Sequence, residues 1–449
     1  MIKQTTENLS FLTNLKKLPM SASNVKCLLT TKAFKEELFK QINEASQRIY
    51  LAALYLEADE AGAEVLDALY AAKLRSPELD IVICIDFHRA QRGLIGAVKG
   101  GNTNTTWYQS VAKLKGSGVK IVGLPVKRKE LFGVQHLKGF IFDDVVFYSG
   151  ASINNIYLHQ QDRYRFDRYW LIAEKALADT MVNYLQQVIV ESEAVVELNA
   201  PVVPKFNEIK KDHKNLSRQL KISGYKFDSV KTEGLAIRPI TGIGSSKNIL
   251  NQIIRSIFKS TEQELILFTP YFNLPAVLGR DITALLKRKI KITIVVGDKT
   301  ANDFYIPEDK PFKTIAALPY LYEVNLRKFA KKHHTSILQG HLKIHLWKHE
   351  TNSFHLKGVY SDHRHSLLTG HNLNPRAWRL DLENGLLIDD PHKELASLMD
   401  EELDNILIHT RLINDYKEID DLRTYPDKVK QLISRLRRIK ADKIVKGII

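Results

Sequence analysis

The chain has 449 residues, of which 44% are hydrophobic and 26% are charged. This composition excludes a disordered or collagen-like chain, and the length predicts two or three domains or one internally doubled fold. Lysine and arginine exceed aspartate and glutamate by 15. Such an excess indicates an anionic partner, but it does not choose among nucleic acid, an acidic membrane surface and phosphate substrates.

Cysteine usage and hydropathy indicate the cellular compartment of the protein. The two cysteines, Cys27 and Cys84, form no C-x-x-C pair, which argues against a disulfide framework and against zinc sites of the usual spacing. The first thirty residues lack an apolar signal core, and no stretch reaches the roughly 18 apolar residues of a spanning helix. We therefore expect a cytoplasmic protein that is neither secreted nor integral to the membrane.

Most of the positive charge lies in two segments. Residues 205–231 carry eight basic side chains against three acidic ones, and residues 426–449 carry eight against two. These segments supply net charges of +5 and +6, so the rest of the chain is nearly balanced.

The two halves of the chain repeat one order of elements. An apolar strand, a helix and a second strand occur in both halves, and a third strand follows. The matched strands are 48–56 with 264–272, 80–86 with 291–297 and 120–125 with 343–348. Alternating strands and helices predict βαβ units, so we expect an α/β fold with a mostly parallel sheet in each half. We divide the chain into an N-terminal half (1–204), a basic connection (205–231), a C-terminal half (232–424) and a basic amphipathic helix (425–449).

A fourth repeated feature carries chemistry. His136, Lys138 and Asp143 form an H-x-K-x4-D motif, and a second copy stands 219 residues later. Side chains two apart on a strand share a face, so each histidine and its lysine should project together. An imidazole beside an ammonium suits attack on a phosphodiester, because the ring acts as nucleophile or proton carrier while the lysine offsets phosphoryl charge. The second copy consists of His355, Lys357 and Asp362.

Polar turns and then acidic residues follow both motifs. The turns contain Ser152 and Asn154 in the first half and Asn372 and Asn374 in the second, and these groups are able to hold phosphate oxygens. Asp167 and Glu383 precede the next apolar strands. A carboxylate bonded to the far nitrogen of a catalytic imidazole sets its tautomer and steadies its cation.

With these motifs the sequence resembles the phospholipase D superfamily and, along essentially the whole chain, its bacterial phosphatidylserine synthase family. The closer likeness is carried by residues 86–93, 269–275, 297–309, 317–323 and 374–384. It implies two halves packed about a pseudo-twofold axis. It also implies transfer of a phosphatidyl group from CDP-diacylglycerol to L-serine with release of CMP, and neither a metal nor another cofactor.

The resemblance also implies roles for the site residues. Sequence order does not decide which histidine is the nucleophile, but the family pattern favours His136, with His355 as proton carrier. Lys138 and Lys357 would hold the phosphoryl oxygens. Across the interface between halves, Glu383 would orient His136 and Asp167 would orient His355, while Asp143 and Asp362 would support strand ends. The second copy has Asn372 where the superfamily usually has serine.

Two further assignments concern the substrates. Arg89 and Arg92 follow a strand end and are candidate pyrophosphate contacts, although a solvated loop explains them equally well. A candidate serine pocket comprises Asp298, Lys299, Asn302 and Asp303.

The last helix has an apolar stripe with basic residues elsewhere. The stripe is typical of a helix lying on an anionic membrane surface, at the inner face of the cytoplasmic membrane, or else of a core-packed helix with a solvated basic side. CDP-diacylglycerol favours the first interpretation, because its acyl chains lie in a bilayer. The residues assigned to membrane contact are Leu432, Arg435, Leu436, Arg437, Arg438, Ile439 and Lys440.

Three alternatives remain at this point. A nuclease or other phosphodiesterase of the same superfamily would also use paired motifs, but the basic excess lies outside them, so nucleic acid is expected to bind only through non-specific charge. A phosphatidyltransferase of the cardiolipin synthase type would use another acceptor alcohol. A catalytically silent binding protein is disfavoured because both histidine–lysine pairs are intact.

Overall fold

The protein is described from a computed structural model that covers residues 2–92, 103–116, 118–228 and 233–438. The helices are α1 (Ile2–Thr13), α2 (Thr31–Glu44), α3 (Glu60–Arg75), α4 (Phe87–Ala90), α5 (Asn104–Lys115), α6 (Lys175–Tyr184), α7 (Lys210–Ile222), α8 (Ile249–Ser260), α9 (Ala276–Lys287), α10 (Leu318–Lys332), α11 (His334–Leu338), α12 (Pro375–Arg379), α13 (Ala396–Leu407) and α14 (Asp427–Arg438).

The strands are β1 (Leu18–Pro19), β2 (Val25–Leu28), β3 (Arg48–Ala52), β4 (Asp80–Asp86), β5 (Lys120–Leu124), β6 (Gln135–His136), β7 (Gly139–Phe142), β8 (Val145–Tyr148), β9 (Arg165–Phe166), β10 (Tyr169–Ile172), β11 (Val196–Glu197), β12 (Ala236–Ile243), β13 (Glu264–Thr269), β14 (Lys291–Gly297), β15 (Leu342–Trp347), β16 (Ser353–Phe354), β17 (Gly358–Ser361), β18 (His365–Thr369), β19 (Leu382–Asp389) and β20 (Thr410–Leu412).

Each half contains one large mixed sheet, which confirms the predicted α/β class. In the first half the strand order is β11-β5-β4-β3-β7-β8-β10-β2, and in the second it is β1-β12-β19-β18-β17-β13-β14-β15-β20. Among the described strands, parallel pairing within one half is limited to β3-β4-β5 and β13-β14-β15. The expectation of mostly parallel sheets was therefore wrong beyond the repeated βαβ units. The strands after each motif return through tight hairpins, β7-β8 and β17-β18, and a hairpin makes neighbours antiparallel.

Residues 2–20 belong structurally to the second half. Strand β1 pairs with β12, helix α1 packs against α8, and Leu12 is fully buried in the outer core of the second half. A buried ion pair joins Lys17 to Asp389. Assignment of all of residues 1–204 to the N-terminal half is corrected accordingly. A two-residue strand has too few residues to show a sequence period, so the pattern carried no sign of this exchange.

Besides a small cluster between α10 and α14, three large apolar clusters form the core of the described residues. One lies on the helix-covered outer side of each sheet, and the third is shared by the inner sides of both sheets. Helix α7, within the basic connection, contributes Leu216 and Leu220 to the shared cluster while its lysines stay exposed. The two halves are thus packed together through a continuous apolar layer.

The chain changes sheet inside each H-x-K motif. Strand β6 runs parallel to β19 of the other half, whereas β7 pairs with β3 and β8 of its own half. Likewise, β16 runs parallel to β9 of the first half before β17 joins the second sheet. Gly139 and Gly358 occupy the switch points with φ of 117° and 145°, where L side chains are strained. The motif is therefore two short strands with a glycine corner, rather than the single strand that the spacing suggests.

Helix α14 is partly a core element. Val429 and Ile433 are buried against Tyr320 of α10 and against Tyr425, so one face of the predicted stripe is occupied by protein. Leu432 and Leu436 are half-buried, and Arg435 and Arg438 are exposed. Ile439 and Lys440 lie outside the described residues.

Within the ranges that the structure describes, no helix has the length and hydropathy needed to cross a membrane.

The packing of α14 predicts that Ile433→Ala lowers the free energy of unfolding by about 2 kcal/mol or more, because it removes three carbons from a fully buried site. Ile408→Ala is the matched control, since Ile408 is 72% exposed, and it should change stability by no more than about 0.5 kcal/mol. Urea denaturation of both variants measures the difference. Equal midpoints would contradict the packing of α14 on α10.

Candidate active site

The two motifs meet because each enters along a strand of the other half. In the β6-β19 pair, His136 lies opposite Glu383. In the β16-β9 pair, Phe354 lies opposite Phe166. His355 and Asp167 directly follow the two strands, and the His355 amide donates to the Phe166 carbonyl. Parallel pairing therefore delivers each imidazole to a carboxylate of the opposite half.

The first dyad is His136 with Glu383. Nδ1 of His136 lies 2.9 Å from Oε2 of Glu383, and both side chains are buried. This contact occupies Nδ1, so Nε2 is the ring nitrogen left for a substrate. Asn384, the next residue, accepts from the Lys138 amide and donates to the Lys138 carbonyl, both at 2.8 Å. The residue after the carboxylate thus fixes the backbone of the opposite motif.

The second dyad is His355 with Asp167. Nδ1 of His355 lies 2.8 Å from Oδ2 of Asp167 and 2.9 Å from the Tyr157 hydroxyl. Arg168, the residue after this carboxylate, donates to the Lys357 carbonyl at 3.2 Å and forms a bidentate ion pair with buried Glu402. The two dyads are reciprocal, but they are fixed in place by different side chains.

The two motif lysines are fully buried beside the dyads. Lys138 donates to the Ser152 hydroxyl at 3.1 Å and to the Ala151 carbonyl at 3.2 Å. Lys357 contacts the His355 ring and lies 3.4 Å from Asp167. Burial lowers the pKa of Lys138 to about 7 and that of Lys357 to about 8, with a contribution to Lys138 from the charge of Lys357. Bound phosphate would raise both pKa values, because it supplies the missing negative charge.

The two dyads differ in charge. Burial raises the pKa of Glu383 well above its usual range, with a smaller contribution from Asp381, and burial together with nearby lysines lowers the pKa of His136. Burial also acts to raise the pKa of Asp167, but Lys357 and His355 outweigh burial and hold this pKa at about 2. Asp167 is therefore ionised. In the first dyad, by contrast, the neutral forms of His136 and Glu383 are favoured. Environments that separate the pKa values of paired groups are typical of acid–base sites.

Both histidines open into one central cleft of about 890 Å³. Lys138 also lines it, whereas Lys357, Asp167 and Glu383 lie behind the histidines and support them. All six residues predicted to bind substrate reach its wall: Arg89, Arg92, Ser152, Asn154, Asn372 and Asn374.

The contacts of these six residues differ. Arg92 forms a bidentate ion pair with Glu130 at 2.7 and 2.8 Å, and Arg89 is buried over the Tyr55 ring. Nη1 of Arg89 and Oδ1 of Asn372 are buried polar atoms without a hydrogen-bond partner among the described residues. By contrast, Asn374 caps α12 through its Oδ1, and Asn154 accepts from the Tyr157 amide. Arg89 and Asn372 thus have the most unused hydrogen-bonding capacity.

The motif aspartates lie outside the cleft. Asp143 accepts from the amides of Ser46, Gln47 and Arg48 at the start of β3. Asp362 accepts from those of residues 262–264 at the start of β13. These contacts hold the hairpin after each motif to the first strand of its repeat.

The candidate serine pocket is not assembled as predicted. Asp298 caps the turn that follows β14, and Lys299 pairs with Glu323 and Asp420. Asn302 is buried and accepts from the Phe304 amide. Only Asp303 reaches the central cleft. The turn after β14 directs successive side chains to different sides, which the spacing alone did not reveal.

Among the residues that contact the motifs or line the cleft, five polar ones that bear on the chemistry were not assigned from the sequence. They are Tyr157, Arg165, Tyr271, Arg376 and Asn384. One signal was present: Arg165 stands two residues before Asp167, so alternation along a strand places both side chains on one face. Tyr157 and Tyr271 come from loops, Arg376 from α12 and Asn384 from β19, and their approach to the motifs depends on the packing of the halves.

The chain is similar to known proteins along its length. A family model described as "Cardiolipin synthase, PLD-like domain" matches residues 254–407. The chain is 45% identical over 453 residues to the CDP-diacylglycerol–serine O-phosphatidyltransferase of Haemophilus influenzae, a match that covers 100% of this chain and 99% of the relative. It is 46% identical over 440 residues to CDP-diacylglycerol–serine O-phosphatidyltransferase PssA of Escherichia coli, which covers 98% and 97%.

A solved structure is similar over nearly the same length. The crystal structure of phosphatidylserine synthase from Haemophilus influenzae matches with a TM-score of 0.95 and 43% identity, and the match covers 99% of this chain and 100% of that one.

The second dyad predicts an unusual histidine titration. Burial and Lys357 lower the pKa of His355 to about 4, while Asp167 acts to raise it. Asp167→Asn should therefore lower this pKa further, so that the ring protonates only in more acidic solution. NMR of ¹⁵N-histidine-labelled protein measures it. Asp400→Asn, which removes the carboxylate beside His363 at 2.7 Å, is the matched control. A higher His355 pKa in Asp167→Asn would contradict the dyad.

Proposed function

Because the chain belongs to the bacterial CDP-diacylglycerol–serine O-phosphatidyltransferases, the phosphatidylserine synthases of the phospholipase D superfamily, we propose that it makes phosphatidylserine through a covalent phosphatidyl-histidine and releases CMP. The observation that carries the proposal is the pair of reciprocal histidine–carboxylate dyads, backed by two buried lysines, in one cleft. Two imidazoles are needed when one holds the transferred group and the other carries the proton.

The first step uses His136 as the nucleophile. Its Nε2 attacks the phosphorus that bears diacylglycerol, a P–N bond forms, and the bridging P–O bond to CMP breaks. Glu383, at 2.9 Å from Nδ1, stabilises the imidazolium that results. His355 donates a proton to the departing phosphate. Burial and Lys357 lower the pKa of His355, but the negative charge of the substrate's pyrophosphate favours the protonated form that this donation requires.

The second step reverses the roles. His355, now neutral, takes the proton of the serine hydroxyl as that oxygen attacks phosphorus and the P–N bond to His136 breaks. Asp167 is ionised and lies 2.8 Å from Nδ1, so it stabilises the cation that forms on His355. Lys138 and Lys357 neutralise the non-bridging oxygens in both steps.

The donor is expected to lie with its pyrophosphate along the arginine side of the cleft. Arg89, Arg92 and Arg376 line this wall, and the charge of Arg376 acts on the His136 side of the site. The buried Nη1 of Arg89 has no hydrogen-bond partner among the described residues. It is therefore the nitrogen best placed to donate to an oxygen of the pyrophosphate.

Serine is favoured over another acceptor by the extent of the similarity. The model named for cardiolipin synthase matches residues 254–407 only, whereas the serine enzymes match the chain end to end. The cleft also carries both a cation and an anion near His355, which suits a zwitterionic acceptor.

This function predicts that protein mixed with CDP-diacylglycerol in detergent micelles releases CMP, strongly stimulated by L-serine, and forms phosphatidylserine. EDTA should have no effect, because the proposed chemistry needs no metal. His136→Ala and His355→Ala should each lower turnover by about 10³-fold or more, since the two groups act as a unit. His363→Ala, a surface histidine, is the control. Loss of activity on chelation, or phosphatidylglycerol-type products without serine stimulation, would overturn the proposal.

We also propose that the enzyme works as a peripheral protein on the anionic inner face of the cytoplasmic membrane. Helix α14 packs on the 3₁₀ turn Thr314–Ala317, and Ile315 and Leu318 of this region line the central cleft. Docking through the exposed basic side of α14 would bring the cleft to the bilayer. Leu131 and Phe132, at the cleft rim, are 59% and 53% exposed and suit insertion at the same surface.

Membrane docking predicts that replacing Arg435, Arg437, Arg438 and Lys440 by serine weakens binding to anionic vesicles. Each basic residue near such a surface contributes about 1 kcal/mol, an attraction that salt screens. Turnover on micellar substrate should be largely retained. The matched control replaces four exposed basic residues of α7, Lys210, Lys211, Lys214 and Arg218, by serine. Vesicle sedimentation compares the two, and an equal loss in both variants would reassign docking to net charge alone.

A further inference from the structure

A buried ion pair crosses the central cleft between the halves. Nε of Arg165, on β9, lies 2.9 Å from Oδ1 of Asp303, and each side chain is 12% exposed. Both residues line the cleft. Neither belongs to the paired motifs or to the carboxylates that support them, so the transfer steps described above leave this pair without a role.

Each member of the pair contacts a tyrosine that in turn contacts His355. The guanidinium of Arg165 lies 4.8 Å from the centre of the Tyr157 ring, and the Tyr157 hydroxyl lies 2.9 Å from Nδ1 of His355. Asp303 accepts from the Tyr271 hydroxyl at 2.6 Å, and the Tyr271 ring meets the His355 ring edge to face at 6.1 Å. A fixed positive charge and a fixed negative charge therefore stand beside the histidine that handles the acceptor proton.

The pair retains hydrogen-bonding capacity on the cleft side. Among the described residues, Oδ1 of Asp303 receives no well-aligned hydrogen bond despite its short distance to Arg165. Burial opposes ionisation of Asp303, but Arg165 and His355 outweigh burial and hold the pKa of its carboxyl below the usual range. A guanidinium has five N–H donors, and the contacts of Arg165 with Asp303 and Ser353 involve only Nε.

Stability alone is a weak reason for such a pair. Removing two charges from water costs free energy that their attraction often fails to recover, so apolar residues in the same place are frequently as stabilising. A ligand that carries an ammonium and a carboxylate on one carbon changes this free-energy balance. It offers Asp303 a new cationic partner and Arg165 a new anionic partner in the same buried space. Amino acids are ligands of this class.

We propose that Arg165 and Asp303 form an acceptor clamp, in which Arg165 binds the carboxylate and Asp303 binds the ammonium of a zwitterionic hydroxy amino acid so that its hydroxyl faces His355. This inference rests on the proposed function and adds the residues that select the acceptor. The clamp explains why the ion pair lies close to His355.

The test compares three acceptors with CDP-diacylglycerol as the donor: L-serine, ethanolamine, which lacks the carboxylate, and 3-hydroxypropionate, which lacks the ammonium. Asp303→Asn should reduce the preference for L-serine over 3-hydroxypropionate at least ten-fold. Arg165→Gln should reduce the preference for L-serine over ethanolamine to a similar extent. In both variants the KM for L-serine should rise at least ten-fold, while the KM for the donor changes less than two-fold.

Controls separate the possible failures. Asp281→Asn breaks the Arg255–Asp281 ion pair outside the cleft and should leave all three preferences as in the wild type. Arg165→Lys and Asp303→Glu keep the charges and should restore part of the selectivity, and they remain informative if the neutral variants fold poorly. An equal loss for all acceptors, or a rise in the donor KM, would overturn the clamp. Failure of the wild type to release CMP from CDP-diacylglycerol would instead overturn the proposed function.

Discussion

The parallel pairing of β6 with β19, and of β16 with β9, is the constraint on which the site depends. Each pair joins the strand that enters one motif to a strand of the other half that holds the carboxylate: Glu383 lies at the start of β19, and Asp167 directly follows β9. The imidazoles are therefore oriented by groups that neither half supplies for itself, and the site exists only when the halves are docked. The apolar layer shared by the two sheets supplies the free energy for that docking.

Burial of charge is the second organising feature. Two lysines, two imidazoles and two carboxylates are almost fully removed from water at one point. In the unliganded site this burial lowers the pKa of both lysines and both histidines. A phosphate anion compensates the cations, so the site is electrostatically complementary to a substrate carrying the charge that it lacks. The Arg165–Asp303 pair applies the same principle to an acceptor that carries both signs.

Sequence patterns predicted the doubled α/β fold, the six repeated strands and all the residues of the two dyads. They succeeded because βαβ units and the H-x-K motif are local and occur twice. They failed where the outcome depends on long-range packing. The glycine corner at Gly139 and Gly358 breaks what looks like one strand, and β1 joins the sheet of the distant half. Arg165 and Asp303 are 138 positions apart, so no spacing rule brings them together.

The proposed mechanism requires a phosphatidyl group covalently bound to His136. Mixing the enzyme with CDP-diacylglycerol without serine, quenching in alkali to preserve the P–N bond and mapping peptides by mass spectrometry tests this directly. The prediction is an adduct on the peptide that contains His136, lost in His136→Ala and discharged by L-serine before the quench. An adduct on His355 would reverse the two roles. Rapid formation of phosphatidylserine with no adduct on either histidine would contradict the covalent mechanism.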